Sequence, residues 1–156
     1  MINKLDNANK EVARKIYRVF QNAYQVEAQL IGTDSFPPLN RGVNDIVQSN
    51  TVFFGFSDGN SLAGVIETEF NAGHLDIHSL TVDPGYFRNG IAGKLISFVL
   101  TSFEITQATV ETAVVNAPAI QLYQKHGFVK VKTFTPTHGI EKIALQYTVN
   151  SQSEAE

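Results

Sequence analysis

Apolar residues early in the chain recur with helical spacing: Val12, Ile16, Val19, Ala23, Val26 and Leu30 are separated by alternating steps of four and three. That period places them on one stripe and predicts an amphipathic helix from about Asn9 to Ile31. Gly32 and the run Phe36-Pro37-Pro38-Leu39 cannot continue it. A short second helix is expected near Val43 to Gln48. The pattern then changes to that of strands. Thr51 to Phe56 and Leu62 to Phe70 are rich in β-branched and aromatic residues around the turn Asp58-Gly59-Asn60, and Asn71-Ala72-Gly73 leads into His74 to Val82. Together they predict an antiparallel meander. A helix from about Gly90 to Ser102 and a β-rich run from Ala108 to Val115 follow, and a strand, crossover helix and strand in that order should form a right-handed parallel pair. Asn116 as N-cap, Pro118 in the first turn and Gly127 just past the end bracket a short helix from Ala117 to His126. Phe128 to Phe134 and Ile143 to Val149 read as a closing hairpin around Thr137-His138-Gly139. The expected domain is residues 1–149, with residues 150–156 a disordered polar tail.

Composition narrows the class. A chain of 156 residues that is 43% hydrophobic and 17% charged can bury one sizeable core, so a single soluble α/β domain is expected. The net charge of −3 supplies no basic field, and no nucleic-acid partner is expected. Cysteine is absent, which excludes disulfides, thiolate metal sites and a cysteine nucleophile. His74, His78, His126 and His138 have no zinc-ligand spacing, so no metal is expected. No apolar run approaches the ~20 residues of a membrane span, and Met1 to Asp6 has no signal-peptide character. No membrane association and a cytoplasmic location are the corresponding expectations.

Candidate chemistry begins at Val82-Asp83-Pro84-Gly85-Tyr86-Phe87-Arg88-Asn89-Gly90-Ile91-Ala92-Gly93-Lys94. This stretch reads as a strand end, a tight turn and a glycine-rich first helical turn. Main-chain N–H groups there lack intrahelical partners, and with the helix dipole they favour a phosphate or pyrophosphate. Gly90, Ala92 and Gly93 leave room for a ligand close to the main chain.

Two motifs in this order of elements resemble the GNAT superfamily of acetyl-CoA-dependent N-acyltransferases. One is Leu80-x-Val82-x-Pro84 followed by Gly90-x-Ala92, which corresponds to the family's CoA pyrophosphate loop. The other is Asn116-x-x-Ala119-x-x-Leu122-Tyr123-x-x-x-Gly127-Phe128. The resemblance spans most of the chain and implies a mixed, mostly antiparallel sheet flanked by helices. It also implies acetyl-CoA as cosubstrate, held by Leu80, Thr81 and Val82, by the loop residues Phe87, Arg88, Asn89, Gly90, Ile91, Ala92, Gly93 and Lys94, and by Asn116. Two positions depart from the pattern. Phe87 stands where members usually carry Gln or Arg, and only Met1 to Leu5 is left to supply the family's first strand.

The implied reaction is acetyl transfer to a primary amine of a small molecule or peptide, by direct attack in a ternary complex. At the motif position of Tyr123 the family places a phenol that protonates the departing thiolate; packing of the ring on the sheet is the alternative. Asn116 is explained sufficiently as an N-cap. The base candidates are Asp76 and His78, which alternate with His74 on one strand face. Imidazole titrates near neutrality, whereas a carboxylate needs burial to do so, and a solvated polar strand face accounts for the pair equally well. Glu67 and Glu69 are secondary candidates, expected at the surface. A bulge near the strand's end should present an N–H near Leu80 to Val82 to the thioester carbonyl. Tyr24, Glu27, Phe36, Pro37 and Leu39 are candidates for the acceptor site, Glu27 for a cationic acceptor. Alternatives are a CoA-binding module without catalysis, and a protein or aminoacyl-tRNA amine as acceptor. A homodimer is left open.

Overall fold

The computed structural model describes residues 1–149; the tail expected at 150–156 lies outside the described residues. Along the chain run β1 (Ile2–Leu5), α1 (Lys10–Ile31), a short 3₁₀ turn (Pro37–Asn40), α2 (Val43–Val47), β2 (Val52–Asp58), β3 (Ser61–Asn71) and β4 (His74–Val82). A second 3₁₀ turn (Pro84–Tyr86), α3 (Ile91–Ser102), β5 (Gln107–Ala113), α4 (Ala117–Lys125), β6 (Val129–Phe134) and β7 (Lys142–Thr148) complete it. The strands form one sheet in the order β1-β2-β3-β4-β5-β7-β6. Every pairing is antiparallel except β4 with β5. The first strand, for which only Met1 to Leu5 remained, is present and pairs with Phe53–Phe56. No helix among the described residues is long and apolar enough to cross a membrane.

Helix α1 starts where the Asn9 side chain accepts from the N–H groups of Glu11 and Val12, and stops at Gly32, whose φ of 79° suits glycine. Its predicted stripe divides. Ile16 and Val19 are buried with Ala13, Phe20, Tyr24 and Ala28, whereas Val26 and Leu30 remain exposed. The buried part packs on Phe53 and Val65 across one face of the sheet, with Ile46 of α2. On the other face, Leu95, Ile96 and Val99 of α3 and Tyr123 of α4 cover Ile66, Leu75 and Leu145. Full burial of side chains such as Phe20 and Ile96 contributes about 1.5–3 kcal/mol each, so the sheet is clamped from both sides.

Two irregularities in β4 shape everything that follows. Glu67 pairs with Ser79 and Thr68 with Ile77, which leaves His78 as the extra residue of a bulge. The bulge lies slightly upstream of the expected Leu80–Val82. It resets the alternation, so that Leu75, Ile77, Leu80 and Val82 all pack toward α3 and α4. The parallel register with β5 runs from His74↔Gln107 to Ile77↔Val110 and goes no further. Beyond it the two strands part, and the edge of Ser79–Val82 toward β5 has no strand partner.

Candidate active site

Two cavities open on either side of this divergence. The larger, about 550 Å³, lies between the end of β4, the start of α3, α4 and the exposed flank of α1. Asp83 organises its loop. One carboxylate oxygen accepts from the N–H of Gly85 (3.0 Å), and the other accepts from the Asn22 amide on α1 (3.1 Å). Helix α3 then begins at Gly90, with φ of 73° and no side-chain cap. The first-turn N–H groups of Ile91, Ala92 and Gly93 therefore lack an intrahelical acceptor, the arrangement that receives a phosphate. Arg88 also adopts a positive φ, 69°. Leu80, Thr81, Val82, Phe87, Arg88, Gly90, Ile91, Ala92, Gly93 and Asn116 all line this cavity. Asn89 and Lys94 do not; Lys94 turns toward β2, with Nζ 5.5 Å from the centroid of the Phe56 ring. Val26, Leu30 and Phe87, three exposed apolar residues, form part of the wall. An extended amide-bearing arm ending in a pyrophosphate fits this set of groups: an unpaired strand edge, an apolar flank and a crown of free N–H groups.

The second cavity, about 440 Å³, brings together Tyr24, Glu27, Phe36 and Pro37, four of the five residues named as acceptor-site candidates. Leu39 is not among its walls: it packs against the α1 cluster, and its carbonyl accepts from the Gln21 amide at 3.0 Å. Arg41, Ser79, Glu111, His138 and Lys142 line it too, and the sequence singled out none of them for this role. Glu111 and Lys142 lie 3.6 Å apart because β7 inserts beside β5. No local pattern signals that juxtaposition.

Tyr123 lines both cavities and is only 4% exposed. The surrounding motif explains its pose. Asn116 caps α4 by accepting from the N–H of Ala119 (3.3 Å), and Gly127 turns the chain at φ of 95°. Phe128 is thereby brought edge-on against the Tyr123 ring, centroids 5.3 Å apart. Burial, reinforced by Glu27 and Tyr24, pushes the Tyr123 phenol well above its ordinary pKa. Burial likewise raises the Glu27 carboxyl, partly offset by the neighbouring Asn116 amide and the charge of Lys142.

His78, the bulge residue, lines the second cavity. Its Nε2 lies 2.9 Å from Glu69 Oε1 and 3.5 Å from Asp76 Oδ2. Asp76 lines neither cavity and accepts a hydrogen bond from Thr109 (3.2 Å) on the open sheet face. Glu69 is exposed, as expected, but Glu67 is 2% exposed. Arg41 grips it in a fork, Nη1 to Oε1 at 2.6 Å and Nη2 to Oε2 at 2.9 Å, while Thr51 and Ser79 donate to the same carboxylate. Burial alone would raise the Glu67 pKa; these bonds and the guanidinium charge outweigh it and hold it below the usual value. The network also pins Ser79 beside the bulge.

Known proteins share this architecture. The ribosomal-protein-S18-alanine N-acetyltransferase of Escherichia coli superposes with a TM-score of 0.75 at 19% identity, over 96% of this chain and 94% of that one. The PaiA N-acetyltransferase of Thermoplasma acidophilum, solved in complex with coenzyme A, gives 0.72 at 18% identity, over 96% and 98%. A curated relative, the UPF0157 protein YqkA of Bacillus subtilis (strain 168), is 38% identical over 141 residues. That match takes in 90% of this chain but 41% of the relative, so the chain spans about two fifths of that protein's length. The family described as "Acetyltransferase (GNAT) domain" matches residues 38–156, most of the sequence. With the sheet order, the parted strands and the uncapped helix start already in place, that match makes this chain a member of the GNAT acetyltransferase family.

Proposed function

We propose that the protein transfers an acetyl group from acetyl-CoA to a primary amine of a small molecule or peptide, by direct attack within a ternary complex. The observation that carries this reading is the meeting of the two cavities at Tyr123, one suited to a donor and one to an acceptor. The N–H groups of Ile91, Ala92 and Gly93 would hold the pyrophosphate, and the free edge of Ser79–Val82 the amides of the pantetheine arm. Bound there, the cosubstrate supplies an activated thioester. Unpaired main-chain N–H on the β4 edge stabilises the oxyanion as the amine adds. Tyr123, protonated across the working pH range, delivers its proton to the departing sulfur. The acceptor cavity offers Glu27, His78 and Glu111 as groups able to take the amine's proton. Without cysteine, an acyl-thioester intermediate on the protein is not available.

Acetyl-CoA should stabilise the fold by about 2.7 kcal/mol at a hundredfold excess over Kd, read as a rise in Tm. Thiol release from acetyl-CoA should then appear with some member of a panel of benzylamine, putrescine, alanine amide and tetra-alanine. No shift with millimolar acetyl-CoA would remove the donor site. A shift without thiol release would leave only a CoA-binding module.

A further inference from the structure

Five residues belong to the walls of both cavities: Glu27, Leu80, Asn116, Ala119 and Tyr123. Chemistry between a donor in one cavity and an acceptor in the other takes place beside them. Leu80 and Ala119 contribute apolar surface and Asn116 an amide, so the ionisable groups at the junction are Glu27, from α1, and Tyr123, from α4. The other candidates for moving a proton stand further out. His78 and Glu111 line the acceptor cavity alone, and each faces a partner, Glu69 at 2.9 Å and Lys142 at 3.6 Å. Asp76 lines neither cavity.

We infer that Glu27 is the catalytic residue that takes the proton from the acceptor amine, working opposite Tyr123 at the junction of the two cavities. The inference rests on the acetyl-transfer reading above and names its missing base. It assigns this role to α1, which precedes the matched stretch of the family, residues 38–156. Asn116, which caps α4, stands in the same shared wall as Glu27.

The protons balance as follows. Glu27 carboxylate removes one proton from the ammonium and releases it to solvent through the acceptor cavity. The free amine attacks the carbonyl carbon, a C–N bond forms, and the C=O electrons move onto oxygen. As they return, the C–S bond breaks and Tyr123 gives its proton to sulfur. The second nitrogen proton passes to Glu27 and from there to the Tyr123 phenolate, restoring both groups. The products are amide, thiol and one proton in solution.

The charged and titratable groups around Glu27 are Tyr24 on its own helix, Tyr123 on α4 and Lys142 on β7, with Arg41, His78, Glu111 and His138 across the acceptor cavity. Burial raises the Glu27 carboxyl, Asn116 and Lys142 partly oppose it, and the net upward shift makes it a better-matched base.

The test compares wild type with Glu27→Gln and Glu27→Asp, measuring kcat/KM for the panel amine that releases thiol, across pH, with Tm and acetyl-CoA affinity alongside. Glu27→Gln should lose on the order of 10²-fold or more in kcat/KM near neutrality. Its profile should climb about tenfold per pH unit toward the amine's own pKa, about 8 for an α-amino group and about 10.4 for a lysine-like amine, where wild type is flat. Glu27→Asp should recover part of the rate. Acetyl-CoA affinity should hold, and the Gln variant should melt no lower than wild type, because the ionised, partly desolvated carboxylate is itself a cost at neutral pH. An active wild type with Glu27→Gln within threefold at every pH, or with an equal loss at every pH and a lower Tm, would overturn the role of Glu27 alone. A wild type that binds no acetyl-CoA, or acetylates no amine of the panel, overturns the acetyl-transfer reading and this assignment with it.

Discussion

Arg41→Ala is expected to be one of the most damaging single changes in the chain, although Arg41 sits in a connecting segment. The guanidinium makes two hydrogen bonds, at 2.6 and 2.9 Å, to a carboxylate with 2% exposure, and stacks 5.7 Å from the ring centroids of Phe20 and Phe53. Truncation leaves Glu67 buried and charged, with only the Thr51 and Ser79 hydroxyls as donors. Breaking a buried pair from one side costs about 3–5 kcal/mol. Arg41 is itself 27% exposed, and water can replace part of it, so about 3 kcal/mol is the expected loss. For a domain of this size that lowers Tm by about 6–12 °C. The sign with pH is also fixed. In wild type the Glu67 pKa is held down, so its contribution is present above the unfolded carboxyl pKa and lost as pH falls through the lower folded value. In the variant, burial acts without the guanidinium and raises that pKa, so the deficit is largest near neutrality and shrinks toward about pH 4. Urea unfolding of wild type, Arg41→Ala, Glu67→Gln and the double variant, at neutral and acid pH, measures this directly. A loss below about 1 kcal/mol, or additive single changes with no coupling, would refute the claim that this pair holds the site together.

Tyr123→Phe should leave the ring packed on Phe128 and acetyl-CoA affinity within twofold, while kcat falls about 10²-fold. Because burial keeps the phenol protonated, that loss should be the same through the neutral and mildly alkaline range, and an unchanged rate would remove Tyr123 from the mechanism. Gly90→Ala meets no atom within 4 Å of the added Cβ, so its cost is the backbone conformation at φ of 73°, about 1–2 kcal/mol. Relaxation of the loop should weaken acetyl-CoA binding measured by calorimetry; unchanged affinity would place the phosphates elsewhere.

Most of the fold was legible because its signals are local. The α1 stripe, the turn residues around Gly59 and Gly73, and the Asn116 and Gly127 bracket each act within a few positions of themselves. A bulge in β4 was expected from the family resemblance, but its place at His78 was not legible, since the alternation of His74, Asp76 and His78 continues through it and no glycine or proline marks the extra residue. Glu67 and Glu69 read alike by period. One lies under Arg41, which comes 26 residues earlier, and the other projects into solvent; which is which depends on where the connecting segment passes. The glycine-rich loop was largely readable as a cavity wall, because glycines and a helix start define it. The second cavity was only half readable, since Glu111, Lys142 and His138 converge through strand order alone.

The parting of β4 from β5 has a consequence for reach. An unsatisfied strand edge at the rim of a sheet invites any extended chain to add to it. Here the open edge lies inside the sheet, between a strand that has turned away and helices on either side. The strands remain joined as far as Ile77 and Val110, so the opening is closed at that end. On the acetyl-transfer reading, a slender linear arm with amide groups would thread from the glycine-rich end toward the point where the strands close. The closed end of the ladder would set how far a threaded arm can travel.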